Sequence, residues 1–169
     1  MSKRALKSYL KGLKKSDLEE QITDLYDRFP AVKQYFDFVF NPKEDKLVQE
    51  AKTKISNEYF PLKRKRARAR RSVAQKYIKL FLKLEMDPFL TADVMLYNQE
   101  IAQTFSENHR VPYAFYKSML NSFKESIQFI SRNKLLAEFK DRIIIIYQNS
   151  QKQSWPYEED FSQALDIID

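Results

Sequence analysis

The stretch DPFLTADVMLYNQEIAQTFSEN, which spans residues 87–108, decides the fold. It opens on Asp87 and Pro88, an N-cap acceptor followed by a first-turn proline, the combination typical of helix starts. Apolar side chains then recur every three or four residues, which is the spacing of one helix face. The inward positions are Leu90, Val94, Tyr97, Ile101 and Phe105. The pattern predicts a helix that ends near Asn108.

Similar spacing precedes this stretch and predicts five further helices. The first carries Leu6, Leu10 and Leu13, and the second opens at a capping box of Ser16 and Glu19. A third follows Pro30. The fourth is expected to start at Asn41-Pro42 and to stop at Pro61, and the fifth runs over residues 73–82.

Three helices are predicted after residue 108. Pro112 opens the seventh, which extends to Ile130, and the eighth covers about 135–148. The four isoleucines at 143–146 could form a buried strand, but their flanks favour a helix buried on several sides. A polar linker is expected over 148–154. The last helix is amphipathic, and its apolar positions are Phe161, Leu165 and Ile168.

Composition supports an all-α fold. Gly12 is the only glycine, and tight hairpin turns need residues that adopt positive φ, glycine above all. We expect one domain over residues 1–169, a compact array of about eight or nine antiparallel helices. A helical-repeat arrangement is an option, although no fixed repeat period is present.

Several function classes are excluded by missing residue types. One glycine cannot build a phosphate-binding loop or a dinucleotide fingerprint. The absence of cysteine removes disulfides, thiolate metal sites and cysteine nucleophiles. No apolar run approaches the roughly 20 residues of a membrane span. We therefore expect a soluble, cytoplasmic protein that binds no cofactor and no metal and is not an enzyme.

Charge is concentrated in one place. The net charge is +7, yet residues 1–86 form a basic half and residues 87–169 an acidic half. The segment KRKRARARR, residues 63–71, holds seven cations and no anion, so it accounts for the whole net charge. We call it the basic run. Its cations are Lys63, Arg64, Lys65, Arg66, Arg68, Arg70 and Arg71.

An anionic counterpart is expected for the basic run, because its cations repel one another and stand at a helix start, where the dipole favours anions. Arginine suits bidentate phosphate contacts, so nucleic acid is the first hypothesis, RNA in preference to DNA, with all seven cations as phosphate contacts. An acidic protein partner is the alternative. A membrane surface is a lesser one, and the acidic C-terminus could also neutralise the run internally. That tail contains Glu158, Glu159, Asp160, Asp166 and Asp169.

Other chemistry-bearing residues have simpler interpretations. Tyr59, Phe60 and Tyr77 flank the basic run and could stack on bases, but they also fall at core spacing. His109, the only histidine, is expected to contact a helix end. Asp93 and Glu100 share a helix face and could do acid–base work or hold Mg²⁺, whereas a solvated face or a bond to a neighbouring helix is the simpler expectation.

Several short motifs resemble an uncharacterised bacterial family of helical domains. They are Ser2-Lys3-Arg4-x-Leu6-Lys7-x-Tyr9-Leu10, Leu25-Tyr26-x-x-Phe29-Pro30-x-Val32-Lys33, Asn41-Pro42, residues 65–79, Ala92-Asp93-x-Met95-Leu96-Tyr97, Phe115-Tyr116-x-Ser118 and Glu138-Phe139-Lys140-x-Arg142. The resemblance implies a helical fold and no known activity.

This chain departs from the family pattern at two places. Members usually carry a glycine in the basic segment, where this chain has Ala67 or a neighbour. Near the end they have a Gly-Trp-Gly-Phe-His-like stretch, where this chain has Ser154-Trp155-Pro156-Tyr157 and no histidine. If that stretch forms a site in relatives, the resemblance implies that this chain has altered it.

Overall fold

The protein is all-α. A computed structural model describes residues 2–63 and 65–167, and within these ranges it contains nine α-helices and no strand. The chain divides into two compact units, residues 1–43 and 44–169. The charge boundary at residue 86 therefore falls inside the second unit, and the expectation of a single domain stays a prediction.

The first unit contains α1 (Lys3–Lys11), α2 (Lys15–Arg28) and α3 (Pro30–Phe40). Ser2 caps α1, because its hydroxyl accepts a hydrogen bond from the Ala5 backbone N–H. The Tyr26 hydroxyl on α2 donates to Asp37 on α3 at 2.6 Å. None of the three helices contains a fully buried residue, so polar contacts contribute much of what holds this unit together.

The second unit contains α4 (Glu44–Tyr59), α5 (Arg71–Lys83), α6 (Pro88–Asn108), α7 (Tyr113–Arg132), α8 (Leu136–Lys152) and α9 (Glu158–Gln163), followed by a 3₁₀ turn over Ala164–Ile167. The predicted start of α6 is confirmed, since Asp87 Oδ1 accepts from the Phe89 backbone N–H at 2.8 Å. α6 packs against α4, α5, α7 and α8, so it is the centre of this unit.

Burial along α6 exceeds what its apolar stripe predicts. Besides apolar positions, α6 buries Asn98, Gln99 and Gln103. The Gln99 side chain donates to the Met119 carbonyl at 2.8 Å, and that of Gln103 donates to the Ile146 carbonyl at 2.7 Å. The amide N–H groups of Gln99 and Gln103 thus join α6 to α7 and α8, while the Oε1 atoms of both are buried without a hydrogen-bond partner among the described residues.

Two predicted helix starts are wrong. α2 begins at Lys15, and its box acceptor is Asp17, which accepts from the Lys14 backbone N–H at 3.1 Å. α4 begins at Glu44 rather than at Pro42, and Asn41 is instead the C-cap of α3. In both cases a residue close to the true boundary, Ser16 or Asn41, also has the side chain of a good N-cap, so the sequence alone does not fix the first residue of the helix.

The C-terminal part also differs from the sequence prediction. α8 continues to Lys152, so most of the expected linker over 148–154 is helical. The isoleucines at 143–146 are helical as preferred, but the helix is buried on one side, because Ile143 and Ile146 are buried and Ile145 is exposed. Ile168 lies outside the described residues.

Candidate nucleic-acid interface

Within the basic run, Lys63 and residues 65–70 are non-helical and lie between α4 and α5. Its backbone is fixed at one point, where the N–H groups of Arg68 and Ala69 both donate to the Glu58 carbonyl at 2.9 Å. Ala69 has φ of 48°, in the left-handed region that favours glycine. α5 begins at Arg71, so the prediction that the run leads into the start of the fifth helix is confirmed.

Arg70 is committed to an internal ion pair. Its Nε and Nη2 atoms donate to the two carboxylate oxygens of Glu58 at 2.8 and 3.2 Å. The Glu58 side chain is only 9% exposed, so its charge needs a partner inside the fold. This hydrogen bond raises the pKa of the Arg70 guanidinium above its ordinary value. Arg70 therefore joins the basic run to α4, while its predicted phosphate contact stays a prediction.

Arg71 is also committed. Its Nε donates to the Ser122 hydroxyl at 2.5 Å, and its Nη2 donates to Glu125 at 2.6 Å. Both acceptors lie on α7, so this arginine joins the start of α5 to a helix distant in sequence. Only tertiary packing brings these acceptors to the basic run.

Four cations of the run remain open to solvent. Lys63, Lys65, Arg66 and Arg68 are exposed, and none forms an ion pair with any residue that the structure describes. Arg64, the seventh predicted contact, lies outside the described residues. The structure thus separates the run into two structural arginines and four exposed cations.

The acidic tail pairs elsewhere. Asp160 accepts from Lys124 on α7 at 2.8 Å, and Glu158 accepts from the Gln151 side chain at 2.9 Å. Among residues 2–63 and 65–167, no tail carboxylate forms an ion pair with the basic run. Asp169 lies outside the described residues.

A cavity of about 370 Å³ lies beside the run. Ala67, Arg68 and Ala69 form one wall. The remaining lining comes from α6, from the α6–α7 connection and from α7. These residues are Phe105, Arg110, Val111, Pro112, Ala114, Phe115, Ser118 and Met119. Sequence reasoning missed Arg110, because no local pattern relates it to a segment some forty residues earlier.

The aromatic residues near the run are mainly structural. Tyr59 is buried and packs on Phe105 with ring centroids 5.7 Å apart, and burial raises the pKa of its hydroxyl. Tyr77 donates to Glu50 at 2.8 Å, and burial together with this bond raises the pKa of Tyr77 to about 12. Phe60 is partly exposed but also contacts Phe105. The expectation of core positions holds best for Tyr59.

The whole chain, residues 1–169, matches the model of a family of unknown function, DUF6155. The protein belongs to DUF6155. This match confirms the expectation of an uncharacterised family, while its bacterial origin stays a prediction. Searches of curated proteins and of solved structures found no match to this chain.

Two residues near the expected glycine positions have left-handed backbone, while the glycine pattern of the family stays a prediction. Ala69 lies in the basic run, and Ser154 has φ of 53° directly before Trp155. Trp155 is buried between α7 and α9, where it packs on Phe115, Tyr116 and Phe161. In this DUF6155 protein, residues 154–157 form a closely packed connection between α8 and α9.

Asp93 and Glu100 are joined to neighbouring helices, which confirms the simpler of the two expectations. Arg142 on α8 donates to Asp93 at 2.8 Å and, through two nitrogens, to Glu100 at 2.9 and 3.0 Å. Lys52 on α4 also contacts Asp93 at 2.6 Å. Burial by itself lowers the pKa of Arg142, but these carboxylates outweigh it and raise that pKa. Within the described ranges, no cluster of side chains has the composition of a metal site.

Replacing Arg142 with methionine is expected to lower the free energy of unfolding by about 1–3 kcal/mol, because two nearby carboxylates would lose their shared partner. The low end applies if solvent compensates, since the Arg142 side chain is 31% exposed. Chemical denaturation would measure the loss. Arg132→Met is the matched control, because Arg132 is exposed at the end of α7. Equal losses for the two variants would contradict a role of this network in stability.

His109 behaves as expected of a residue at a helix end. It is the C-cap of α6, and its Nδ1 lies 2.9 Å from the Phe105 carbonyl in the last turn. Its ring also stacks on Phe105 with centroids 4.2 Å apart. The one histidine of the chain thus closes a helix and covers the ring that lines the cavity.

Membrane association through a spanning segment has no support, since no described helix combines the length and apolarity needed to cross a bilayer.

A second cationic surface exists in the first unit. Along α1, Lys3, Arg4, Lys7 and Lys11 lie on one shallow face together with Ser8. This surface belongs to a different unit from the basic run.

Proposed function

We propose that this DUF6155 protein is a non-enzymatic helical protein that binds RNA, alone or in a ribonucleoprotein, through phosphate contacts of the basic run. The observation that carries the proposal is the set of four exposed cations without an ion pair: Lys63, Lys65, Arg66 and Arg68. Arg64 keeps the role predicted from sequence. Arg70 and Arg71 hold the segment against the fold through Glu58 and Glu125 instead of binding phosphate.

The local charge balance favours an external anion. The carboxylates nearest to the run, Glu58 and Glu125, already bind Arg70 and Arg71. In the acidic tail, Asp160 pairs with Lys124 and Glu158 accepts from Gln151. Four neighbouring cations without a counter-charge raise the local potential, and a phosphate backbone supplies negative charge at a comparable spacing.

The non-helical backbone of the run favours binding to a single nucleic-acid strand over base readout in the major groove of a duplex. Base readout in the major groove of DNA commonly uses a helix that carries polar and cationic side chains. The exposed cations here lie on a non-helical segment that precedes α5. Such a segment can follow a sugar–phosphate backbone, and sequence-selective RNA binding mostly involves unpaired strands.

Binding of a fluorescein-labelled single-stranded RNA, followed by anisotropy at several salt concentrations, would test this proposal. The four exposed cations and Arg64 make five phosphate contacts to a single strand, which predict a slope of about −3.5 in the plot of log affinity against log salt. The physical reason is that each phosphate contact releases condensed counterions from the RNA, and this release becomes less favourable as the salt concentration rises. Binding that does not change with salt, or no binding at low salt, would contradict the proposal.

An acidic protein partner is the second candidate. The first unit leaves large apolar side chains exposed, including Phe29 between α2 and α3 and Tyr35 and Phe40 on α3, and such surfaces are common at protein interfaces. In that case a pull-down from lysate would survive both nuclease treatment and the change of Lys65, Arg66 and Arg68 to alanine. Loss of the captured partner on nuclease treatment would favour RNA.

A further inference from the structure

The cavity beside the basic run combines an apolar interior with two cations. Three of its apolar lining residues, Phe105, Phe115 and Met119, are buried. Arg68 and Arg110 line the same space and are exposed residues. A ligand that fits must therefore have an apolar, compact body and an anionic group.

Neither arginine is engaged by the fold. In the part of the chain that the structure describes, the side chains of Arg68 and Arg110 form no ion pair and no side-chain hydrogen bond. This contrasts with two arginines of the same run, since Arg70 pairs with Glu58 and Arg71 binds Ser122 and Glu125. The two cations that line the cavity are thus available to a ligand.

The backbone of the run can hold an RNA strand next to this cavity. Exposure alternates along it, since Arg66 and Arg68 are exposed and Ala67 and Ala69 are partly buried. Both alanines line the cavity, and their small side chains leave its entrance open. The segment is also fixed in place, because the Glu58 carbonyl binds two of its N–H groups.

We propose that the cavity binds one nucleotide, with the base against Phe105, Phe115 and Met119 and the phosphate on Arg68 and Arg110. This proposal rests on the proposed function and adds the class of RNA. A base in a duplex is stacked and paired, whereas a base of a single strand can leave the stack and enter a pocket. The preferred ligand is therefore single-stranded RNA. A free nucleotide has the same chemistry and is the other possible source.

The test compares four ligands: a single-stranded RNA, a duplex RNA of equal length, the same single strand with abasic sites, and a nucleoside monophosphate. Wild-type protein is expected to bind the single strand at least tenfold more tightly than the duplex or the abasic strand at one salt concentration. Ser118→Trp fills the cavity from α7 without removing a cation. It is expected to abolish this difference and to leave duplex affinity unchanged.

A second variant keeps the test valid if Ser118→Trp fails to fold. Arg110→Gln removes a cation of the cavity, and Lys117→Gln is its control, because Lys117 is exposed on α7 and does not line the cavity. Only Arg110→Gln is expected to weaken single-strand binding severalfold more than duplex binding. Binding of the monophosphate that Ser118→Trp abolishes would support the cavity with a free nucleotide as its source.

The outcomes separate the two proposals. Equal, salt-dependent affinity for single strand, duplex and abasic strand would overturn the cavity proposal and leave the phosphate contacts standing. No binding of any RNA at low salt would overturn the proposed function, and the absence of monophosphate binding as well would overturn the cavity.

Discussion

Replacing Phe161 with alanine is expected to destabilise the second unit by about 3–5 kcal/mol. Phe161 is 0% exposed, and its ring packs on Phe123 and Trp155 with centroids 5.3 and 5.9 Å away. Its helix, α9, has only six residues. Since isolated helices shorter than about 12–15 residues are marginal in water, α9 depends on this anchor.

The loss would be a large part of the roughly 5–15 kcal/mol that stabilises a typical domain. Urea denaturation followed by circular dichroism would measure it, and Trp155, the only tryptophan, gives an independent fluorescence signal from the second unit. Phe40→Ala is the control, because it removes the same atoms from a side chain that is 81% exposed. A loss below about 1 kcal/mol for Phe161→Ala would contradict its place in the core.

Changing the four exposed cations of the basic run to glutamine is expected to lower RNA affinity by about two orders of magnitude near physiological salt, as removal of four phosphate contacts implies. The residues are Lys63, Lys65, Arg66 and Arg68. Stability should change little, because none of them forms an ion pair with a described residue. Anisotropy titrations at fixed salt, together with a thermal melt, would measure both quantities.

A control of equal charge comes from the acidic half of the chain. Lys117, Arg132, Lys140 and Lys152 are exposed in the second unit, and their change to glutamine alters net charge by the same amount. If net charge alone governed binding, both quadruple variants would lose affinity equally. That result would contradict a localised interface at the basic run.

Much of the secondary structure could be predicted from the sequence alone. The α6 helix is the clearest case, since its capping pair and apolar spacing agree and both of its ends are correct. Helix starts at Lys15 and Glu44 were missed by a few residues, because Ser16 and Asn41 offered equally good caps nearby. Local signals specify that a helix exists better than they specify where it begins.

The roles of the charged residues could not be predicted in the same way. Sequence alone treats the seven cations of the basic run as equivalent, since each has similar neighbours. Arg71 differs from Arg66 only because folding places Ser122 and Glu125 beside it. Likewise, Asp93 and Glu100 share a helix face by spacing, but Arg142 reaches them only across the packed α6–α8 interface.

By itself the sequence determined the helical class and the location of the positive charge. It also excluded the motifs that need cysteine or several glycines, because the chain has no cysteine and one glycine. Tertiary structure alone decided which described cations of the basic run form ion pairs, that Asp160 pairs with Lys124, and that Arg110 lies with Arg68 on one cavity. The physical reason is range. Periodicity and composition act between near neighbours in the chain, whereas ion pairs and cavities depend on residues that only packing brings together.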